Sequence, residues 1–214
     1  MIQIQSFTFN AFQENTYLLY DETQQCVVID PGCYDRNEQE ELDGFIRENN
    51  LKVVQLLNTH GHIDHVFGNA FVKRKYDVPL LIHEIDAATL RAVVNYAPVW
   101  GFPSYQDTTP DGFLREGQTL RFGNSELEIL FVPGHAPGHV AFVNHSQRFC
   151  IGGDVLFRRS IGRTDLPGGD FQTLIRSIHG QLFPLGDDFV VYPGHGESTT
   201  IGEEKRLNPF CAVK

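Results

Sequence analysis

The chain has few cysteines, no long apolar run and no excess of positive charge, and each shortage removes a class of protein. Its 214 residues include four cysteines, Cys26, Cys33, Cys150 and Cys211, with no CxxC spacing. A disulfide framework is not expected at that density, and a reducing compartment is the simpler setting. No apolar stretch approaches the roughly 18 residues of a membrane-spanning helix. The start, Met1-Ile2-Gln3-Ile4-Gln5-Ser6-Phe7, alternates like a strand and lacks a basic segment followed by an apolar one, so an unprocessed, cytoplasmic chain is expected. The formal charge of −10 argues against nucleic acid or an anionic membrane as the main partner. There is no low-complexity segment, no flexible linker and no plain internal repeat.

What is present is an alternation of strands and helices. Residues 2–9, 16–20 and 25–30 read as strands, an antiparallel start that Asp30-Pro31-Gly32 breaks sharply. Asp35 followed by Glu38 is a capping-box pattern, and Leu42, Phe45 and Ile46 continue at helical spacing to Asn49-Asn50. Strand 53–57, a helical stripe from Phe67 to about Tyr76, strand 78–83 and a helix through Leu90, Val93, Val94 and Ala97 complete the first half. Residues 98–110 form a long irregular segment carrying Trp100, Phe102 and Tyr105, readable as a functional loop or as a connector whose aromatics pack on the core. The second half reads as strands 118–122, 127–132, 140–143 and 148–151, a helix capped by Asp170, and strand 189–192. This implies an α/β protein, one domain over 1–214 built from two similar βα halves, about 1–105 and 106–214.

The most informative stretch is Asn58-Thr59-His60-Gly61-His62-Ile63-Asp64-His65, directly after the apolar run 53–57. Imidazole and carboxylate are ligands that Zn²⁺ and related divalent ions accept from proteins. Along an extended chain His60 and His62 point the same way and can share an ion. Asp64 and His65 follow where the chain turns into a helix, placed to reach toward a second. Three later apolar strands also end in candidate ligands: Pro133-Gly134-His135-Ala136-Pro137-Gly138-His139, Gly152-Gly153-Asp154 and Pro193-Gly194-His195-Gly196. Four such ends in one chain point to one shared site.

The set HxHxDH, GHxxGH, GD and PGHG, in this order over nearly the whole chain, resembles the metallo-β-lactamase-fold hydrolases. Within them it looks most like a short glyoxalase II-like, or hydroxyacylglutathione hydrolase-like, form. The resemblance implies a four-layer αβ/βα sandwich and a dinuclear centre of two divalent metal ions, zinc first, with iron or manganese as alternatives. It implies that His60, His62 and His135 bind the first ion, that Asp64, His65 and His195 bind the second, and that Asp154 bridges both. Asp64 and Asp154 are thereby the catalytic carboxylates, and a bridging hydroxide would attack an acyl thioester such as S-lactoylglutathione or a related small ester.

Three points stay open. Gly162-Arg163-Thr164-Asp165 occurs both in glyoxalase II-like hydrolases and in persulfide dioxygenases of this fold, which resemble one another in using one iron on two His and one Asp. Arg163 could orient an anionic substrate, or pair with Asp165 to hold the loop. The C-terminal stretch from Glu203 to Phe210 leaves room only for a short helix, so the glutathione contacts of larger glyoxalase II enzymes do not carry over. A sulfur dioxygenase and a non-catalytic metal-binding protein are the alternatives to the hydrolase. A β-lactamase is disfavoured, because that branch usually lacks a bridging Asp at the position of Asp154. His139 reads as a structural partner and not a ligand; His83 reads as a pocket-lining residue or a polar strand end, and His145 and His179 as surface residues.

Overall fold

The computed structural model describes residues 1–213, which divide into two compact units. The first comprises Met1–Leu114 together with Arg121–Glu126. Its sheet has the order β1 (Gln3–Phe9), β2 (Glu14–Tyr20), β3 (Gln25–Ile29), β4 (Lys52–Leu57), β5 (Leu80–His83) and β6 (Gly112–Leu114). β1, β2 and β3 form the antiparallel meander read from the sequence, and β3 to β6 then pair in parallel. Parallel neighbours need crossovers, which α1 (Arg36–Glu48), the pair α2 (Ile63–Val66) and α3 (Asn69–Tyr76), and α4 (Ala87–Tyr96) supply.

Local chemistry accounts for these boundaries. Asp35 accepts from the N–H groups of Asn37 and Glu38 while Glu38 reaches back to the Asp35 N–H, the reciprocal cap expected from the sequence. The stripe predicted from Phe67 to Tyr76 forms α3 from Asn69 onward, with Phe67 and Gly68 in the turn that separates it from α2. The Gly68 N–H donates to the carbonyl of Pro31 at 2.7 Å, tying the break to the Asp-Pro-Gly turn. Leu18, Val28, Leu42, Leu56, Leu80 and Leu90 are fully buried in this unit's core. Residues 98–110 contain no helix or strand. Phe102 within them packs on Phe67, Tyr34 and Phe12 with ring centroids 4.6, 5.2 and 5.5 Å apart, so Phe102 and Tyr105 join the core while Trp100 is exposed.

The second unit comprises Arg115–Leu120 and the described chain from Leu127 onward. The second sheet contains β7 (Thr119–Phe122), β8 (Ser125–Phe131), β9 (Val140–Asn144), β10 (Phe149–Gly153), β13 (Val190–Pro193) and β14 (Thr199–Thr200), neighbours in the order β14-β13-β10-β9-β8-β7. A separate two-stranded ribbon joins β11 (Leu156–Phe157) to β12 (Ser160–Ile161). As in the first unit, antiparallel strands lead into parallel pairing, here of β10 with β13, across a helical crossover. That crossover is α5 (Phe171–Ser177), capped by Asp170 and prolonged by a π-helical turn Ile178–Leu182 and a 3₁₀ turn Phe183–Leu185. The last helix, α6 (Ile201–Leu207), is short, as the sequence suggested. Among the described residues no helix is long and apolar enough to cross a membrane.

Candidate metal centre

In the first unit the candidate ligands follow β4. Asn58, Thr59, His60 and His65 are all fully buried, so their polar groups must find partners within the protein or in a bound ion. The rings of His60 and His62 lie 4.7 Å apart and those of His60 and His65 4.2 Å apart. Donor atoms of His60 and His62 approach within 4.8 Å, as do those of Asp64 and His65, the range in which one ion can span each pair.

The hub beneath these imidazoles is Asp30, which the sequence presented only as part of a turn. Its φ of +49° is a left-handed conformation rare outside glycine, held by its contacts. Asp30 accepts the Thr59 N–H at 2.7 Å and the Thr59 hydroxyl at 2.6 Å, and its Oδ2 lies 3.1 Å from His65 Nδ1. A proton inventory fixes the imidazole tautomers. The carboxylate can only accept, so His65 carries its proton on Nδ1 and its lone pair on Nε2. Thr59 spends its one hydrogen on Asp30, so its oxygen, 2.9 Å from His60 Nδ1, accepts from that ring, which likewise leaves the lone pair on Nε2. Asp30, His60 and His65 also bring donor atoms within 4.8 Å, but both Asp30 oxygens are engaged by these donors, so Asp30 supports the ligands.

Glu14 is fully buried beside this hub, with Oε1 3.8 Å from His65 Nδ1. Burial pushes its carboxyl well above the usual range, against the opposing pull of His65. Thr16 Oγ1 accepts the Gly32 N–H and lies 2.9 Å from both Glu14 Oε2 and the Asp30 carbonyl, which ties Glu14 to the end of the strand that carries Asp30.

In the second unit, His135 follows a turn at Gly134, whose φ is +134° and where a Cβ would fall 2.3 Å from the Leu174 nitrogen. Only glycine permits that approach. His135 Nδ1 donates to the carbonyl of Arg163 at 2.7 Å, which again places the lone pair on Nε2. The parallel strands β10 and β13 end side by side, Gly153 opposite Pro193, and deliver Asp154 and His195 together. Asp154 Oδ2 lies 3.4 Å from His135 Nε2 and 3.5 Å from His195 Nε2. Behind it, the Asp154 N–H donates at 3.0 Å to Nε2 of His139, which is fully buried. His139 is thus a backbone anchor for Asp154, matching its reading as a structural partner.

The remaining sequence candidates are placed as follows. Arg163 is exposed and bidentate to Asp165, Nε to Oδ1 at 2.7 Å and Nη2 to Oδ2 at 2.8 Å, and this pairing lowers the Asp165 carboxyl to about 2. His83 Nδ1 faces the Ile85 N–H at the start of a 3₁₀ turn, Glu84–Asp86. His145 and His179 are exposed and bond to Glu128 and to the Cys211 carbonyl. Reading from sequence missed Asp30, Glu14, Thr59 and the Arg163 carbonyl; the only local signal was Asp30-Pro31-Gly32 at a strand end.

With this geometry established, comparison with known proteins decides the family. Residues 9–195 match the metallo-beta-lactamase superfamily. The chain belongs to that superfamily. The hydroxyacylglutathione hydrolase GloC of Haemophilus influenzae is 41% identical over 215 aligned positions, covering 100% of each chain. The crystal structure of the B3 metallo-beta-lactamase BLEG-1 superposes with a TM-score of 0.88 at 32% identity, over 99% of this chain and 100% of that one. TTHA1623, solved in a di-iron-bound form, superposes with a TM-score of 0.82 at 36% identity, over 96% and 99% of the two chains. The fold is the metallo-β-lactamase fold, with the two sheets that the αβ/βα reading required. Membership implies binding of divalent metal, and with the GloC relative it supports a hydrolase. The donor set fits such ions chemically, since each anchored imidazole presents Nε2 and the carboxylates lie beside them.

Proposed function

We propose that the protein is a thioesterase of the glyoxalase II type, acting on a small acyl thioester such as S-lactoylglutathione with two divalent ions. In this reading His60, His62 and His135 hold one ion, Asp64, His65 and His195 hold the second, and Asp154 is shared. The observation that carries it is the position of Asp154 Oδ2, 3.4 Å from His135 Nε2 and 3.5 Å from His195 Nε2. Those two imidazoles belong to different ions in this assignment, and a carboxylate facing both is what a bridging ligand requires.

An imidazole and carboxylate set accepts zinc, iron or manganese; zinc is our assignment, and the di-iron form of TTHA1623 supports iron as the alternative. When bound, such a pair supplies a hydroxide at neutral pH and polarises the thioester carbonyl. The chain's own residues prepare for this. Asp30, Thr59 and the Arg163 carbonyl hold Nδ1 protons on three imidazoles and so fix where the three lone pairs point. Arg163 has its guanidinium committed to Asp165, which supports the loop-holding role over a direct substrate contact. The partner is a small molecule, and the setting is the cytoplasm.

The test uses one metal-free preparation, divided and reloaded with zinc or with iron(II), because zinc has no redox chemistry and oxygen uptake could appear only in the iron-loaded half. Loss of thioester absorbance with S-lactoylglutathione or a simpler acyl thioester is expected, without oxygen uptake on glutathione persulfide. Oxygen uptake with the persulfide and no hydrolysis would replace the thioesterase by a sulfur dioxygenase. A metal-loaded chain that turns over neither substrate, nor an ester panel, nor a β-lactam would contradict both.

A further inference from the structure

The peptide between His60 and His62 lies beyond β4, where no strand ladder holds it, yet two imidazoles two residues apart can face one ion only if that peptide keeps an extended course. The structure points to what replaces the ladder. The Gly61 N–H donates to Oδ2 of Asp86, a fully buried residue 25 positions further along, at the junction of the 3₁₀ turn Glu84–Asp86 and α4. The other oxygen of Asp86 accepts the Thr89 hydroxyl at 3.1 Å, which pins the carboxylate to the first turn of α4. Gly61 is seated against the same turn, since a Cβ there would lie 2.6 Å from the Leu90 nitrogen and 3.0 Å from the Asp86 carbonyl. The start of α4 therefore holds the loop by a hydrogen bond and by a close backbone approach.

We propose that Asp86 is a positioning residue for the metal centre, holding the Gly61 peptide so that His60 and His62 present their nitrogens to one ion. The inference rests on the two-ion reading above but does not depend on the substrate. Asp86 is not one of the ligands in that reading; its bond to Gly61 acts on the backbone between two of them. The hydrogen bond is what matters, so an acceptor of the same shape should replace the carboxylate. In Asp86→Asn the side-chain oxygen can still accept from Gly61, and the amide can donate to the Thr89 oxygen. In Asp86→Ala no acceptor remains, and the Gly61 N–H and Thr89 hydroxyl lose their partner.

Zinc affinity of purified apo-protein, measured by competition with a chromophoric chelator, tests this without reference to turnover. Wild type and Asp86→Asn should bind within about threefold of each other, and Asp86→Ala about 10–100-fold more weakly at one of the two sites, the usual cost of losing a group that orients a ligand. Circular dichroism of the metal-free variants confirms that they fold. If Asp86→Ala does not fold, Gly61→Ala takes its place, because it keeps Asp86 but pushes the loop from α4; the same weakening is expected. Asp86→Ala (or Gly61→Ala in its place) with wild-type affinity, or Asp86→Asn as weak as Asp86→Ala, overturns the inference while leaving the metal assignment standing. A wild-type chain that takes up no zinc fails the metal assignment itself, and this inference with it.

Discussion

Asp154 is held from behind by His139, whose fully buried imidazole accepts the Asp154 backbone N–H at 3.0 Å. In His139→Ala that N–H has no acceptor in a dry interior, which costs about 1–3 kcal/mol, with a further cavity term for the lost ring. Thermal unfolding of the apo-protein should register this loss. At saturating metal the stoichiometry should stay near that of wild type, since His139 is not a ligand. Loss of one ion would show that it is.

Asp30→Ala should be among the most damaging single changes in the first unit. It removes the acceptor for Thr59 N, Thr59 Oγ1 and His65 Nδ1 together, and at 2% exposure water cannot easily replace it. A loss of about 3–5 kcal/mol is expected in chelator-treated protein, because three buried donors lose their common acceptor at once. Metal affinity should fall about 10–100-fold as His65 loses its orienting partner. Denaturant titration and chelator competition read the two effects separately.

Asp21 gives a pH signature far from the metal ligands. Burial raises its pKa, but bonds from the Thr23 hydroxyl, the Ser125 hydroxyl, the Thr23 N–H and the Asn124 N–H outweigh that and lower it to about 2. A group with a depressed folded pKa contributes stability that is present above its unfolded value of about 3.9 and is lost as pH falls through the folded value. The stability difference between wild type and Asp21→Asn should therefore be constant above about pH 4 and shrink toward pH 2. Urea unfolding at several pH values checks this; a difference independent of pH would contradict it.

Arg163→Ala and Asp165→Ala should have matching effects on turnover if their pair holds the loop whose carbonyl anchors His135. If Arg163 instead meets the substrate, Arg163→Ala alone should raise KM, and for anionic thioesters only. Comparing KM for charged and neutral thioesters in both variants separates the two roles.

What could be read from the sequence was whatever is local or ends a strand. The Asp35 and Glu38 cap spans four residues and formed as expected, and the strand before His60 was evident from its apolar run. The groups that orient the imidazoles were hidden because their partners are remote in sequence. Asp30 meets Thr59 across 29 positions and His65 across 35, and nothing in Asp-Pro-Gly announces it. The break at Gly68 was missed for the same reason, since the bond that fixes it comes from Pro31. β6, β11, β12 and β14 have only two or three residues each, too few for alternation to register.

The central claim is a centre of two ions sharing Asp154, and equilibrium dialysis followed by elemental analysis tests it most directly. Wild type should retain close to two divalent ions per chain, and Asp154→Ala, still folded by circular dichroism, should lose at least one of them. A wild-type chain that holds a single ion, or an Asp154→Ala variant that keeps two, would contradict the account.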